Sequence, residues 1–270
     1  MKSISKAYLA FIFTILYIPI LVLVLFSFNS SGNTGGFTGF SFYWYKELFA
    51  SPATFAALKN TLVLAFSSAA ISTLIGTAAS VGIGKMKSKV VKGTVLSVTN
   101  VPMMNPDIVT GISMMLLFVF VGTLLNKDET LGFSTILIAH ITFSLPYVIL
   151  SVRPRVLQLN KSLTEAAMDL GCTPLKAFFK VELPGIMPGI ISGFIMAFTL
   201  SLDDFVISYF TTGTDFQTLP LLIYSMTKKE VTPDIYALSS LMIGAILILL
   251  ILSNVIDQKD SFKGRKAGAK

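Results

Sequence analysis

Charge is scarce in this sequence. Only 13% of its 270 residues are Asp, Glu, Lys or Arg, against roughly 25% in an ordinary soluble protein. A chain so poor in charge cannot cover a water-facing surface with polar groups, which excludes a soluble globular protein. Cysteine is nearly missing as well. The single Cys172 can form no intrachain disulfide and supplies no metal cluster, so it is read as a small packing residue. The only histidine, His140, is expected to be hydrogen-bonded within a helix bundle and is assigned no role. No hydrolytic triad and no metal site can be assembled, so no catalytic residue is named. A phosphate loop of the G-x-x-x-x-G-K-[ST] type is absent too, since GIGKMKS at 82–88 does not match it.

What is abundant is apolar sequence, gathered in blocks at about 7–28, 62–84, 95–125, 131–151, 186–210 and 236–256. About 20 apolar helical residues cross a bilayer core, so six transmembrane helices are predicted. The expected fold is all-α and integral to the membrane, in one domain covering 1–270. The first block is longer than the roughly 7–15 residues of a signal-peptide core and is read as an uncleaved anchor.

Basic residues set the orientation. With the N-terminus in the cytoplasm, Lys2 and Lys6, the 85–92 connection, the 152–185 connection and the C-terminal tail place sixteen basic residues inside. Lys46, Lys59, Lys127, Lys228 and Lys229 make five outside. That split follows the positive-inside rule and puts both termini in the cytoplasm. The net charge of +7 is then a matter of topology and calls for no nucleic acid.

Between the blocks, FTGFSFYWYKELF around Trp44 is predicted to form a short helix at the outer interface, where aromatics concentrate. LPLLIYSM, within 211–235, is too short to span. Small residues recur every fourth position in two spans, as Ser68, Ser72, Gly76, Ser80 and Gly84, and as Gly185, Gly189, Gly193, Ala197 and Ser201. Such stripes let helices approach closely, and packing within the bundle is expected of them. The 95–125 block should break near 102–106, at Pro102 and Asn105-Pro106.

The 152–185 connection holds KSLTEAAMDLGCTPLKAFFKVELPG. Ser162 and Glu165 have capping-box spacing, Gly171 suits a left-handed helix end, and Thr173-Pro174 reads as a cap and first-turn proline. Two short helices joined at a glycine are predicted.

This segment resembles the E-A-A loop of ATP-binding-cassette importer permeases: Glu165-Ala166-Ala167, three residues, Gly171, nine residues, then Val181-Glu182-Leu183-Pro184. Valine stands where the family has isoleucine. MMNPDIVTGISMMLLF, AHITFSLPYV, SLDDFVISYFTTG and LPLLIYSMTKKEVTPDIYAL are similar to stretches of spermidine/putrescine importer permeases.

The resemblance implies a type I importer permease of the bacterial inner membrane. Glu165, Ala166, Ala167, Gly171, Leu183 and Pro184 would then form the coupling contact with an ATPase. It further implies a second permease subunit in a heterodimer, two copies of a cytoplasmic ATPase subunit that bind ATP and Mg, and an extracytoplasmic substrate-binding protein. No cofactor is expected on this chain itself.

Acids inside spans usually face a bundle interior or a watery cavity. Asp203 and Asp204 are therefore candidates for a cation pathway, with one lining it while the other bonds a neighbouring helix or subunit. Asp107 either joins them or caps the helix that follows the break. Tyr209 and Tyr224 offer faces for ammonium groups, and polyamines fit such a lining. Alternatives are an importer for another cationic or small polar solute, and an ATP-independent secondary transporter. The E-A-A loop argues against the latter.

Overall fold

The computed structural model describes residues 2–31, 36–126, 130–228 and 233–267. Twelve helices are seen among them: α1 (Lys2–Phe26), α2 (Tyr43–Ala50), α3 (Pro52–Lys85), α4 (Lys89–Met104), α5 (Asp107–Leu124), α6 (Phe133–Gln158), α7 (Lys161–Asp169), α8 (Pro174–Ala177), α9 (Leu183–Asp203), α10 (Val206–Thr211), α11 (Leu219–Thr227) and α12 (Pro233–Ala267). Strands are absent from the described residues apart from one isolated bridge between Asn29 and Phe40. Six helical stretches are long and apolar enough to cross a membrane, beginning at Tyr8, Pro52, Asp107, Phe133, Pro174 and Pro233. Lys127 and Lys229, placed outside by the charge argument, lie outside the described residues.

The chain gathers into two compact units. One joins the residues up to Lys59 with Thr218–Leu247, and the other joins Asn60–Gln217 with the residues from Ile248 onward.

In the second unit α6 is the central helix, packed along α9. The two small-residue stripes explain how. A Cβ on Gly76 of α3 would stand 2.6 Å from a methyl of Val148 on α6, and one on Gly189 of α9 would meet the Ser151 carbonyl oxygen at 3.0 Å. Both helices therefore close on α6 where a side chain is missing, as expected of packing inside one bundle. Ala69, Val148, Val152, Ile186 and Ala197 fill the resulting core. A smaller cluster of Ala139, Phe143 and Ile207, flanked by Met114 and Phe118, joins α6 to α5 and α10.

Breaks and joins depart from the sequence reading in three places. The block at 95–125 is interrupted as predicted, at extended Asn105 and Pro106, while Pro102 stays within α4. Asp107 opens α5 as an exposed acid in its first turn, where its charge complements the helix N-terminus, and α5 has no side-chain cap bond at Pro106. The fifth span does not run unbroken to 210, because α9 stops at Asp203 and α10 restarts at Val206.

The second short helix of the 152–185 connection is not a separate element. Thr173 caps α8 through Lys176 N–H, and a π turn at Phe178–Glu182 carries the chain on into α9. Pro184 lacks an N–H and crowds the carbonyl four residues back. The wider π turn accommodates both defects without ending the helix.

In the first unit the outer loop is organised by its aromatics. Phe28 stacks on Phe40 at 4.8 Å and meets Tyr45 at 5.2 Å, while the Trp44 indole donates to the Asn29 carbonyl at 2.8 Å. The Tyr45 hydroxyl reaches both Ser27 and Ser240 at 2.7 Å, so α2 ties the end of α1 to α12. LPLLIYSM lies in the nine-residue α11, which ends at Thr227 and is too short to span.

Candidate functional site

Two places in the second unit carry most of the sequence-predicted site residues, Asp107 and Tyr224 lying apart from them. The first is the gap between α9 and α10. Asp204 is extended there, with ψ of 123°, and its carboxylate turns back over the start of α10. Oδ1 accepts the Ile207 N–H at 3.3 Å and Oδ2 accepts the Ser208 N–H at 2.8 Å. In an unbroken helix those two donors would serve the carbonyls of Asp203 and Asp204. The side chain therefore replaces a turn of backbone bonding, and its charge complements the positive end of α10.

Asp204 has a second partner, which sequence reasoning missed. His140 on α6 lies with Nε2 3.4 Å from Oδ2, the two side chains being 1% and 7% exposed. Its Nε2 is also 3.0 Å from the Ser208 hydroxyl, and its Nδ1 is 2.7 Å from Ser201 on α9. Ser68 on α3 donates to Ser201 at 2.9 Å. An Nε2–H is what suits the carboxylate beside it, since a bare Nε2 would set a lone pair against it, while the direction of the Nδ1–Ser201 bond follows the tautomer. The expectation that His140 is bonded within the bundle holds. Its link to Asp204 needed the helix break, which no local signal announces.

Asp203 differs from its neighbour. It ends α9 and is exposed, with nothing on it resembling the bonds that hold Asp204. Tyr209 is 46% exposed, and its ring lies 5.6 Å from that of Phe205. In the first unit Tyr224 is 37% exposed and already carries an ammonium, since Lys228 Nζ stands 4.7 Å from its ring centre. No cluster of three or more metal-ligating acidic, histidine or cysteine side chains exists among the described residues.

The second place is the 161–185 segment. Asn160, not Ser162, caps α7: its side chain accepts Ser162 N–H at 3.1 Å and the Ser162 hydroxyl at 2.7 Å. The capping box fails because the helix starts two residues before Ser162 could serve it, leaving Glu165 within α7 beside Ala166 and Ala167. Gly171 has φ of +86°. Its N–H bonds the Met168 carbonyl at 2.9 Å while Cys172 N–H bonds that of Ala167 at 3.1 Å, the paired closure of a Schellman helix end. Leu183 and Pro184 open α9. Beside them Lys85 at the end of α3 pairs with Glu182 at 3.0 Å and stands over the Phe178 ring at 5.9 Å. A small cavity of about 80 Å³ lies there, lined by Val81, Lys85, Val156, Thr164 and Glu182 among others.

Six spanning-length helices, a helix broken at a carboxylate and a helical segment feeding directly into a span define a membrane transport protein. Residues 72–259 match the family described as binding-protein-dependent transport system inner membrane component. The chain belongs to that family, and it is a non-enzymatic, multi-pass permease subunit. It is 42% identical over 88% of its length to the putrescine transport system permease protein PotI of Escherichia coli (strain K12), covering 84% of that protein. It is 37% identical to the spermidine/putrescine permease PotC of the same strain, over 100% of this chain and 99% of that one.

Among solved structures, a bacterial transporter involved in import of the acidic polysaccharide alginate superposes with a TM-score of 0.70 over 96% of this chain and 98% of the other, at 15% identity. An amino acid ATP-binding-cassette transporter gives 0.55 over 80% and 95%, at 21% identity. These two show a shared fold, that of a type I importer permease.

Proposed function

We propose that this chain is one permease subunit of an ATP-driven importer for polyamines in a bacterial inner membrane, acting as one permease domain. The reading rests above all on the 161–185 segment. Its E-A-A helix ends in a Schellman closure at Gly171 and leads on through α8 into α9, and relatives 42% and 37% identical in sequence are named for putrescine and spermidine transport. Glu165, Ala166, Ala167 and Gly171 present the contact to a cytoplasmic ATPase subunit, present in two copies, which binds ATP and Mg. Leu183 and Pro184 pass the motion into the span. A second permease subunit completes the pathway, and an extracytoplasmic binding protein delivers the substrate. Both termini lie in the cytoplasm, as the distribution of basic residues requires.

A polyamine is a flexible run of methylenes bearing several ammonium groups. Exposed Asp203 and Asp107 supply carboxylates for it, and Tyr209 and Tyr224 supply rings, of which Tyr224 already accepts a lysine ammonium. Asp204 belongs to the same stretch, with its carboxylate engaged by α6 and α10. Weak, multiple contacts suit a pathway, because a substrate held tightly does not leave.

The test is uptake of labelled spermidine and putrescine by proteoliposomes holding this chain, its partner permease and the ATPase. Uptake that needs both ATP and the loaded binding protein is the expected result. An assembled, ATP-hydrolysing complex that moves no polyamine would overturn the substrate, and uptake without ATP would overturn the importer.

A further inference from the structure

The break between α9 and α10 creates two helix ends inside a span, and the chain treats them differently. At the start of α10 the free N–H groups of Ile207 and Ser208 are covered by Asp204. At the end of α9 the carbonyls of Asp203 and Asp204 are denied the donors a continuous helix would have supplied. The negative end of a helix dipole is thus left beside an exposed carboxylate, a combination that favours a cation.

What keeps Asp204 turned toward α10 is the bond from α6. His140 is fully enclosed, and its two nitrogens are spent on opposite sides, Nδ1 on Ser201 of α9 and Nε2 on Ser208 and Asp204 at the start of α10. One ring thereby fixes the last full turn before the break and the first turn after it. A buried imidazole is a costly way to fill space that a leucine would fill, unless its bonds matter.

We propose that His140 is a positioning residue: it holds Asp204 across the break between α9 and α10 and so leaves Asp203 as the carboxylate that meets the moving cation. The proposal rests on the transport reading given above. It separates two adjacent acids into a structural one and a conducting one, and gives the lone histidine a task.

The test uses the assembled importer in proteoliposomes, with Cys172→Ser and Asp203→Cys in this chain. A water-soluble, positively charged methanethiosulfonate then reports whether position 203 faces water. His140→Gln places an amide donor where Nε2 stands and keeps the Asp204 bond. His140→Asn reaches only the Nδ1 position and keeps the Ser201 bond. Labelling at 203 is expected in the parent and within about threefold of it for His140→Gln, but at least about tenfold slower for His140→Asn, in line with loss of a hydrogen bond to a charged group. In the Asp203-containing counterparts, maximal polyamine uptake should follow the same order, while the concentration of loaded binding protein giving half-maximal uptake stays unchanged.

Equal labelling with His, Gln and Asn overturns the proposal. So does equal loss in both variants, or no labelling of the parent. Should His140→Asn not assemble, the isosteric Asp204→Asn takes its place: slowed labelling supports the proposal and unchanged labelling overturns it. Labelling needs no substrate, so failure of the unsubstituted complex to take up polyamine counts against the substrate reading alone.

Discussion

Lys85 and Glu182 form an ion pair at 3.0 Å that joins the end of α3 to the π turn below α9. Lys85 is 62% exposed and Glu182 only 16%, so the pair sits half in water. Pairs of this kind contribute about 0–1 kcal/mol, too little to hold the bundle together. Under the proposed function the pair would keep α3 and the turn leading into α9 in register.

Reversing Glu182 should therefore disturb coupling and spare folding. Glu182→Lys is expected to lower ATP-driven uptake several-fold with little change in the thermal midpoint of the purified complex. Combining it with Lys85→Glu should restore most of the loss. A double variant no better than the single one would show that the pair has no part in transport.

Gly171 presents a different kind of constraint. A side chain at φ of +86° costs about 1–2 kcal/mol, so Gly171→Ala should weaken uptake while leaving it measurable. Proline holds φ near −65° and removes the N–H bonded to Met168. Gly171→Pro should abolish uptake, with the protein still recovered in the membrane fraction. Normal uptake by this variant would exclude the segment from coupling.

The two adjacent acids should separate by phenotype. Asp203→Asn is expected to reduce polyamine uptake about tenfold at unchanged yield of complex, a loss of the size reported for a charged hydrogen-bond partner. Asp204→Ala leaves the Ile207 and Ser208 N–H groups unpaired at the start of α10, at about 1–3 kcal/mol each, and takes one of its partners from His140. Its yield and thermal midpoint should fall first. Uptake and yield measured on both variants together decide the point.

Gly189→Leu tests the close approach of α9 to α6. The added carbons must displace the Arg155 stem or the Ser151 carbonyl, which stand 2.7 and 3.0 Å from the first of them. Overpacking of this sort costs about 1–3 kcal/mol. A lower thermal midpoint is expected, and an unchanged one would mean that the two helices are free to part.

Much of this was legible from residue order. Long apolar blocks marked the spans, Asn105-Pro106 marked a break, and Gly171 with Thr173-Pro174 marked the helix ends of the coupling segment, because each depends on residues close in sequence. Asn160 displaced Ser162 as the cap because both are good caps and the helix begins at Lys161, where the Asn160 side chain takes both the N–H and the hydroxyl of Ser162. The π turn was hidden since Pro184 alone says only that regular bonding fails, not how the helix adapts. The interruption at Asp204 was invisible for another reason. Nothing in LDDFV is a helix breaker, and the partner that Asp204 meets there is a histidine 64 positions away on another helix.

From Pro174 to Asp203 the chain is one helical stretch of 30 residues, about 45 Å at the usual rise, and a bilayer core is about 30 Å thick. The stretch is therefore longer than the hydrocarbon is thick, and it ends at the exposed acid Asp203. Under the proposed function the stretch would act as a connecting rod: a push passed on from the E-A-A helix through the turn at Gly171 would reach Asp203 along a single helical stretch. The π turn at Phe178–Glu182 departs from regular α-helical bonding within it, and the stroke would bend there.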